Sequence, residues 1–312
     1  MSPMPKASWA TSESPKMRQF LVLALVVAGA ATTVVAQEGT VRKLTPAEQA
    51  QLDIDNKGRA TPMTAEQWLA RRSGGNQAQR KSWEPTPPPA DPRDFTGLWQ
   101  LPGGNINLLQ ENGEAAPFTP EEAKRTQQLI DAEAHGAVLT DAASQCFPHG
   151  VPRLSFAPYP VRFVYLPGEI LMLHEVGHNL RLIHLDRKEA PPDTPQSFLG
   201  YSVGRWEGGT LVVETSHFND KTPLDFHSSH GTKLKVTERF QKQKTSAGYT
   251  DLVVHITIDD PEHFTKPFTV VRHWPYRSDM AATVGSDGIT EYSCEENNRN
   301  VETTSDGRVI IK

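Results

Sequence analysis

Beyond residue 94 the apolar residues fall in short runs, some of them alternating with polar residues at period two. The runs are Phe95–Leu101, Val161–Leu166, Glu169–Val176, Leu180–Asp186, Tyr201–Trp206, Thr210–Phe218, Lys233–Gln243, Thr250–Ile258, Phe268–Tyr276 and Ile289–Glu295. Each is short, rich in β-branched or aromatic residues and bounded by Gly, Pro, Asn or Asp, which is the pattern of strands. Turns such as Pro167-Gly168, Glu207-Gly208-Gly209 and Asp259-Asp260-Pro261 are short enough to join antiparallel neighbours. A parallel sheet needs a helix between its strands, and this region signals a single helix. Thr119-Pro120-Glu121-Glu122 supplies an N-cap, a proline at the first helical position and a capping acid, so a helix should run to about Ala134 and stop at Gly136. The prediction is an all-β domain over 93–312, an antiparallel β-barrel or sandwich of about ten strands with one flanking helix.

A different texture precedes it. Thr45-Pro-Ala-Glu48 and Thr64-Ala-Glu-Gln67 each fit a capping box, Gly74-Gly75 ends the second helical signal, and five prolines fall between Trp83 and Pro92. Residues 37–92 therefore read as a weakly structured, partly helical, Pro-rich N-terminal arm. Phe20 to Val35 is the only long apolar run. Lys16 and Arg18 stand before it, and Val34-Val35-Ala36 ends it in a V-x-A junction, as in a secretory signal peptide cut after Ala36. Met17 would start a tidier signal than Met1. The expectation is a periplasmic or secreted protein with no transmembrane segment after processing.

Composition narrows the class. Apolar residues make up 37%, charged residues 22% and aromatics 8% of 312 residues, which excludes a disordered chain, a disulfide-dense miniprotein and a multispanning membrane protein. The net charge is −5, and removing residues 1–36 takes away three basic residues and one acidic one, leaving −7. That balance argues against a nucleic-acid partner, which would be met by a basic face. Only Cys146 and Cys294 are present. Export would allow a bridge between them; two buried thiols are the other reading.

Two strings look catalytic. His174-Glu175-x-x-His178 with His184 resembles the zinc-binding signature of metzincin metalloproteases, in which three histidines hold the metal and the glutamate polarises water. That resemblance implies a zinc-dependent metallopeptidase using His174, Glu175, His178 and His184. It requires a helix through the first two histidines and a glycine where Arg181 stands. Glu169–Leu173 follows a Pro167-Gly168 turn and Leu180–Asp186 alternates at period two instead, so a hairpin with Gly177-His178-Asn179 at its tip is expected, with Glu175 opposite Arg181 and His174 near His184. Gly200-Tyr-Ser202-Val-Gly204 matches the G-x-S-x-G of α/β-hydrolases, but no helix follows the serine.

Gly97-Leu-Trp99 resembles the G-x-W that opens the first strand of lipocalins and other calycins, where the Trp plugs one end of the barrel. A longer stretch resembles an uncharacterised family of exported bacterial β-rich proteins. It is carried by Cys146-Phe-Pro-His-Gly-Val-Pro152, Gly204-Arg-Trp-Glu-Gly-Gly-Thr-Leu-Val-Val213, Phe218-Asn219, Glu238-Arg-Phe240, Asp259-Asp-Pro261 and Cys294-Glu-Glu-Asn297. The resemblance implies the fold and the compartment, with no activity to transfer.

Strand parity selects further residues. Glu238 shares a face with Leu234, Val236 and Phe240, and Arg272 with Phe268, Val270 and Trp274, so both should point inward, to pair with each other or to address a ligand. A loop carrying Asp225, His227 and His230 lies between strands, where sites often sit. His178, His230 and Glu238 are the candidate acid/base residues, and Glu175, Arg181, Trp206, Asp225 and Arg272 the candidate ligand contacts. Trp99, Trp206, Phe218, Phe240, Trp274 and Tyr292 could line a pocket for a flat apolar molecule. The resulting expectation is an exported barrel that binds a small, partly apolar molecule, without a cofactor, either as a binder or as an acid/base lyase, isomerase or hydrolase.

Overall fold

A computed structural model describes residues 42–56, 61–72, 77–84, 86–100, 107–137, 139, 141–283, 288–294, 301–303 and 309–311. The signal segment, Gly74-Gly75, Leu101 and the stretch from Glu295 to Asn297 lie outside these residues. The elements are helices α1 (Pro46–Asn56), α2 (Ala65–Arg72), α3 (Gln77–Trp83), α4 (Pro120–Ala134) and α5 (Ser278–Thr283), and strands β1 (Leu98–Trp99), β2 (Val161–Leu166), β3 (Glu169–His174), β4 (Leu180–His184), β5 (Tyr201–Glu207), β6 (Thr210–Ser216), β7 (Lys235–Lys244), β8 (Thr250–Asp259) and β9 (Phe268–Pro275). A separate small hairpin joins Val301–Thr303 to Val309–Ile311.

The nine strands form one sheet in sequence order. Every neighbouring pair is antiparallel except β4–β5, which is parallel over only two residue pairs. The long 185–200 connection makes that reversal possible, because parallel neighbours cannot be joined by a tight turn. The sheet then nearly closes on itself: Trp99 bridges Tyr276, Gln100 N–H donates to Pro275 O (3.1 Å) and Arg277 N–H to Leu98 O (2.9 Å). The all-β barrel expected from the alternation is therefore present. Its interior is filled by side chains, among them Phe163, Met172, Ile183, Leu211, Phe240, Val254 and Trp274, as a barrel of about this strand number requires.

The G-x-W turn has a steric basis. Gly97 has φ +114, and a Cβ there would lie 2.5 Å from the Tyr276 ring, which packs on Trp99 with centroids 5.0 Å apart. Trp99 is fully buried and its indole N–H donates to Phe95 O (2.8 Å).

Both capping boxes of the arm form. Glu48 N–H donates to Thr45 Oγ1 (3.2 Å) and Thr45 N–H to Glu48 Oε2 (3.0 Å); Thr64 and Gln67 repeat the exchange at 3.2 and 3.0 Å. Trp68, 1% exposed, packs with Leu52 and Leu109 in a second small core. Buried Arg80 of α3 meets Asp251 of β8 at 2.6 Å.

The last expected strand, Ile289–Glu295, is not extended into the sheet over its described part. Thr290 N–H donates to Glu175 Oε2 (2.9 Å) and Tyr292 N–H to His178 Nε2 (3.0 Å), and Cys294 is bridged to Cys146. Those contacts use the backbone donors that a ladder would need.

Candidate functional site

Helix α4 begins as its sequence dictates, with Thr119 accepting from Glu122 N–H (3.3 Å) and Pro120 at the first helical position. Its first turn then grips the loop ahead of β7. Glu122 accepts from Ser229 N–H (2.7 Å) and holds Arg125 at 2.9 and 2.7 Å. Burial alone would raise the Glu122 carboxyl, but the Arg125 and Ser229 hydrogen bonds outweigh it and keep it below the usual range. Arg125 also donates to His227 O (2.7 Å), and His227 Nε2 lies 3.1 Å from Glu133. Asp225 Oδ1 closes the loop on itself by accepting from His227 N–H (2.8 Å) and Ser228 N–H (2.7 Å).

Across from this loop runs a short 3-10 turn, Ala142–Gln145, capped by Asp141. Asp141 pairs with buried Arg153, whose guanidinium also sits 5.5 Å from the Phe226 ring centroid. Between α4, the 139–147 segment and the 220–229 loop lies a groove of about 420 Å³. Leu129, Leu139, Phe147 and Phe226 give it apolar walls; Arg125, Lys221 and His227 put donors along it. Phe226 is 53% exposed and Phe147 40%, so two large apolar side chains present surface here. Lys221 has no carboxylate partner among the described residues. The volume falls in the range of small-molecule sites, ~300–1,000 Å³.

The other sequence-singled residues are distributed as follows. The H-E-x-x-H string forms no α-helix: β3 ends at His174, Val176–His178 makes a single 3-10 turn broken by Gly177 at φ +63, and β4 begins at Leu180. The hairpin is as expected, its register is not. Leu173 pairs with Leu180 and Glu169 with His184, so His174 and His184 lie at opposite ends, about 17 Å apart along the strand. Arg181 faces Met172, not Glu175. His184 binds Glu169 at 2.9 Å and stacks on Tyr201. Among the described residues no group of three His, Cys, Asp or Glu is arranged to hold a metal ion.

Glu175 and His178 instead clasp the 290–292 segment. Glu238 and Arg272 both point inward, as parity predicts, yet they do not pair with each other. Glu238 binds Arg181 at 2.5 Å and accepts from Ser155 Oγ at 3.0 Å. Arg181 also donates to Ser202 Oγ (3.0 Å) and Thr215 Oγ1 (2.8 Å). Ser202 of the G-x-S-x-G string is thus a buried member of this network on a strand, and Gly204 is small because a Cβ would meet Ile183 at 2.6 Å. Arg272 donates to Asn107 O and lies 4.4 Å over Phe156; burial pushes its guanidinium down to about 9. His230 is buried against Phe218, and burial lowers its pKa. Trp99, Phe218, Phe240 and Trp274 are core, while Trp206 and Tyr292 pack against it. The proposed acid/base trio, His178, His230 and Glu238, therefore occupies three separate environments, and of the candidate ligand contacts only Asp225 belongs to the groove loop.

Sequence reasoning gave no site role to Phe147, Lys221, Phe226 or the half-buried His149. Phe226 carried the one available signal, an aromatic inside the polar string Asp225-Phe-His-Ser-Ser-His230. No family model matches the chain, and neither a curated protein nor a solved structure matches it significantly. The class defined by fold and site is a filled, mostly antiparallel β-barrel with a helix-and-loop groove on its outside. Among the described residues no helix is long and apolar enough to cross a membrane.

Proposed function

We propose that the protein is exported and binds a small, partly apolar molecule in the groove between α4, the 139–147 segment and the 220–229 loop. The observation that carries this reading is the pair of exposed aromatics, Phe147 and Phe226, fixed on opposite sides of a groove of about 420 Å³. Phe147 lies against Phe198 (ring centroids 5.5 Å apart) and Phe226 against the Arg153 guanidinium (5.5 Å), and each still presents apolar surface to the groove. Lys221, the groove cation with no carboxylate partner among the described residues, favours a ligand whose polar end accepts hydrogen bonds, such as a carboxylate or carbonyl on an aryl or acyl body, while Arg125 and His227 are already held by Glu122 and Glu133. The likeness to calycins then extends to the barrel and its G-x-W start, with the ligand outside the barrel because side chains fill the inside. The Cys146–Cys294 bridge accords with an oxidising compartment and with the resemblance to exported bacterial proteins.

Native mass spectrometry and calorimetry against a panel of aryl and acyl carboxylates tests the proposal. Phe226→Ala is expected to weaken the best ligand at least tenfold and Lys221→Ala three- to tenfold, whereas Leu180→Ala, which removes an exposed leucine outside the groove, should leave the affinity unchanged. Equal affinity in wild type and both groove variants would refute the site.

A further inference from the structure

We propose that the cleft at the Cys146–Cys294 bridge is a thiol–disulfide exchange site for a small aliphatic thiol, and that reduction there frees the 288–294 segment while leaving the barrel folded. Both half-cystines line a cleft of about 140 Å³, together with Phe147, Pro148, Tyr292, His149 and Asn179. At ~30 Å³ per water in the liquid, that space matches four or five waters, or a thiol of a few heavy atoms. Cys146 is the more exposed of the two and ends the 142–145 turn in a left-handed conformation (φ 60). The chain has no other cysteine, so no internal thiol competes for the bridge.

What the bridge holds is a strap lying outside the sheet. Between Gly288 and Cys294 the strap is fastened by Thr290 N–H to Glu175 Oε2, by Tyr292 N–H to His178 Nε2, and by the edge-on contact of Tyr292 with Tyr159. These contacts go to the β3–β4 tip and to a loop, while Ile289 is buried and Tyr292 packs against the barrel core; the sheet ladder contributes none of them. Losing the covalent tie therefore loosens the strap without removing any pairing that defines the barrel.

The chemistry is two successive exchanges. A reagent thiolate attacks Cys146 Sγ, a new sulfur–sulfur bond forms, the Cys146–Cys294 bond breaks, and the electron pair leaves on Cys294 sulfur, which takes a proton from water. A second reagent thiolate attacks the reagent sulfur of this mixed disulfide and expels the Cys146 thiolate. Two reagent thiols are thereby oxidised to one disulfide and the protein bridge is reduced to two thiols.

The test exposes the folded, full-length protein to 2-mercaptoethanol or to glutathione at pH 8 without denaturant, followed by alkylation, mass spectrometry and amide hydrogen exchange. Expected are a transient reagent adduct on Cys146, faster reaction with the smaller thiol, and at least tenfold faster exchange at residues 288–294, with β6–β9 unchanged. An intact bridge until denaturant unfolds the barrel would overturn the proposal, as would an adduct on Cys294 or unaltered exchange at Thr290 and Tyr292 after complete reduction. The Cys146→Ser/Cys294→Ser variant should show the same fast-exchanging strap with no reagent; protection equal to the wild type in that variant would also overturn it.

Discussion

Replacing Glu238 by alanine is expected to lower the unfolding free energy by about 3–5 kcal/mol, because it strands a charge that has no access to water. Glu238 is fully buried and Arg181 is 2% exposed, and the pair is enclosed by Ser155, Ser202 and Thr215 within the barrel. Removing the carboxylate leaves the guanidinium with two hydroxyls for partners. The double change Glu238→Leu/Arg181→Met removes both charges at similar volume and should recover most of the loss. Urea denaturation at pH 7 measures both. A loss below about 1 kcal/mol for the single variant would show that the pair does not hold the barrel together, and would reopen a chemical role for Glu238. Ligand affinity in the groove should not change in the double variant.

Acidification from pH 7.5 to 5.0 is expected to destabilise the fold by about 2–4 kcal/mol through buried His174 and half-buried His149. Burial, reinforced by the cation of Arg153, pushes His149 down to about 4 despite the opposing carboxylate of Asp141; burial, reinforced by Arg181, pushes His174 down to about 3. Both are therefore neutral in the folded protein at pH values where the unfolded chain, with ordinary imidazoles, already takes up protons. The unfolded state binds more protons below about pH 6.5, so stability is complete above that value and falls as the pH descends toward the folded values. His174 Nε2 has no hydrogen-bond partner, so nothing nearby stabilises the charged ring. Denaturation midpoints across this range should show a slope approaching two protons per molecule near pH 5 from these two, with buried His230, lowered in the same direction, adding to it. His174→Phe should remove about half of it. A slope unaffected by that substitution would place the titration elsewhere.

How much of this was legible in the sequence depended on how local the cause was. Thr119-Pro-Glu-Glu and the two capping boxes specify helix starts from side chain to adjacent backbone, and α4, α1 and α2 begin where those residues stand. Period-two alternation likewise places Glu238 and Arg272 on inward faces. Their partners were not legible. Arg181 is 57 residues from Glu238, and only the register of three intervening strand pairings and the barrel's closure bring the two together. The His174–His184 string was readable as extended, but its register was not, because one tight turn around Gly177 decides which residues face each other. The groove was half legible: Asp225, His227 and His230 mark a site-like loop, while its walls come from α4 and from the 139–147 segment, about 80 residues or more away in sequence. His149 stands in the Cys146–Pro152 string, but nothing there marked it as neutral, since its neutrality comes from desolvation in the fold.

The most direct test of the account is amide hydrogen exchange on the full-length protein with and without its tightest carboxylate ligand. Binding in the groove predicts slower exchange confined to residues 142–147 and 220–229 and to the first turns of α4, with β2–β4 unaffected. Protection appearing along β2–β4 or at the inward positions of β6–β9, with the groove segments unchanged, would contradict it.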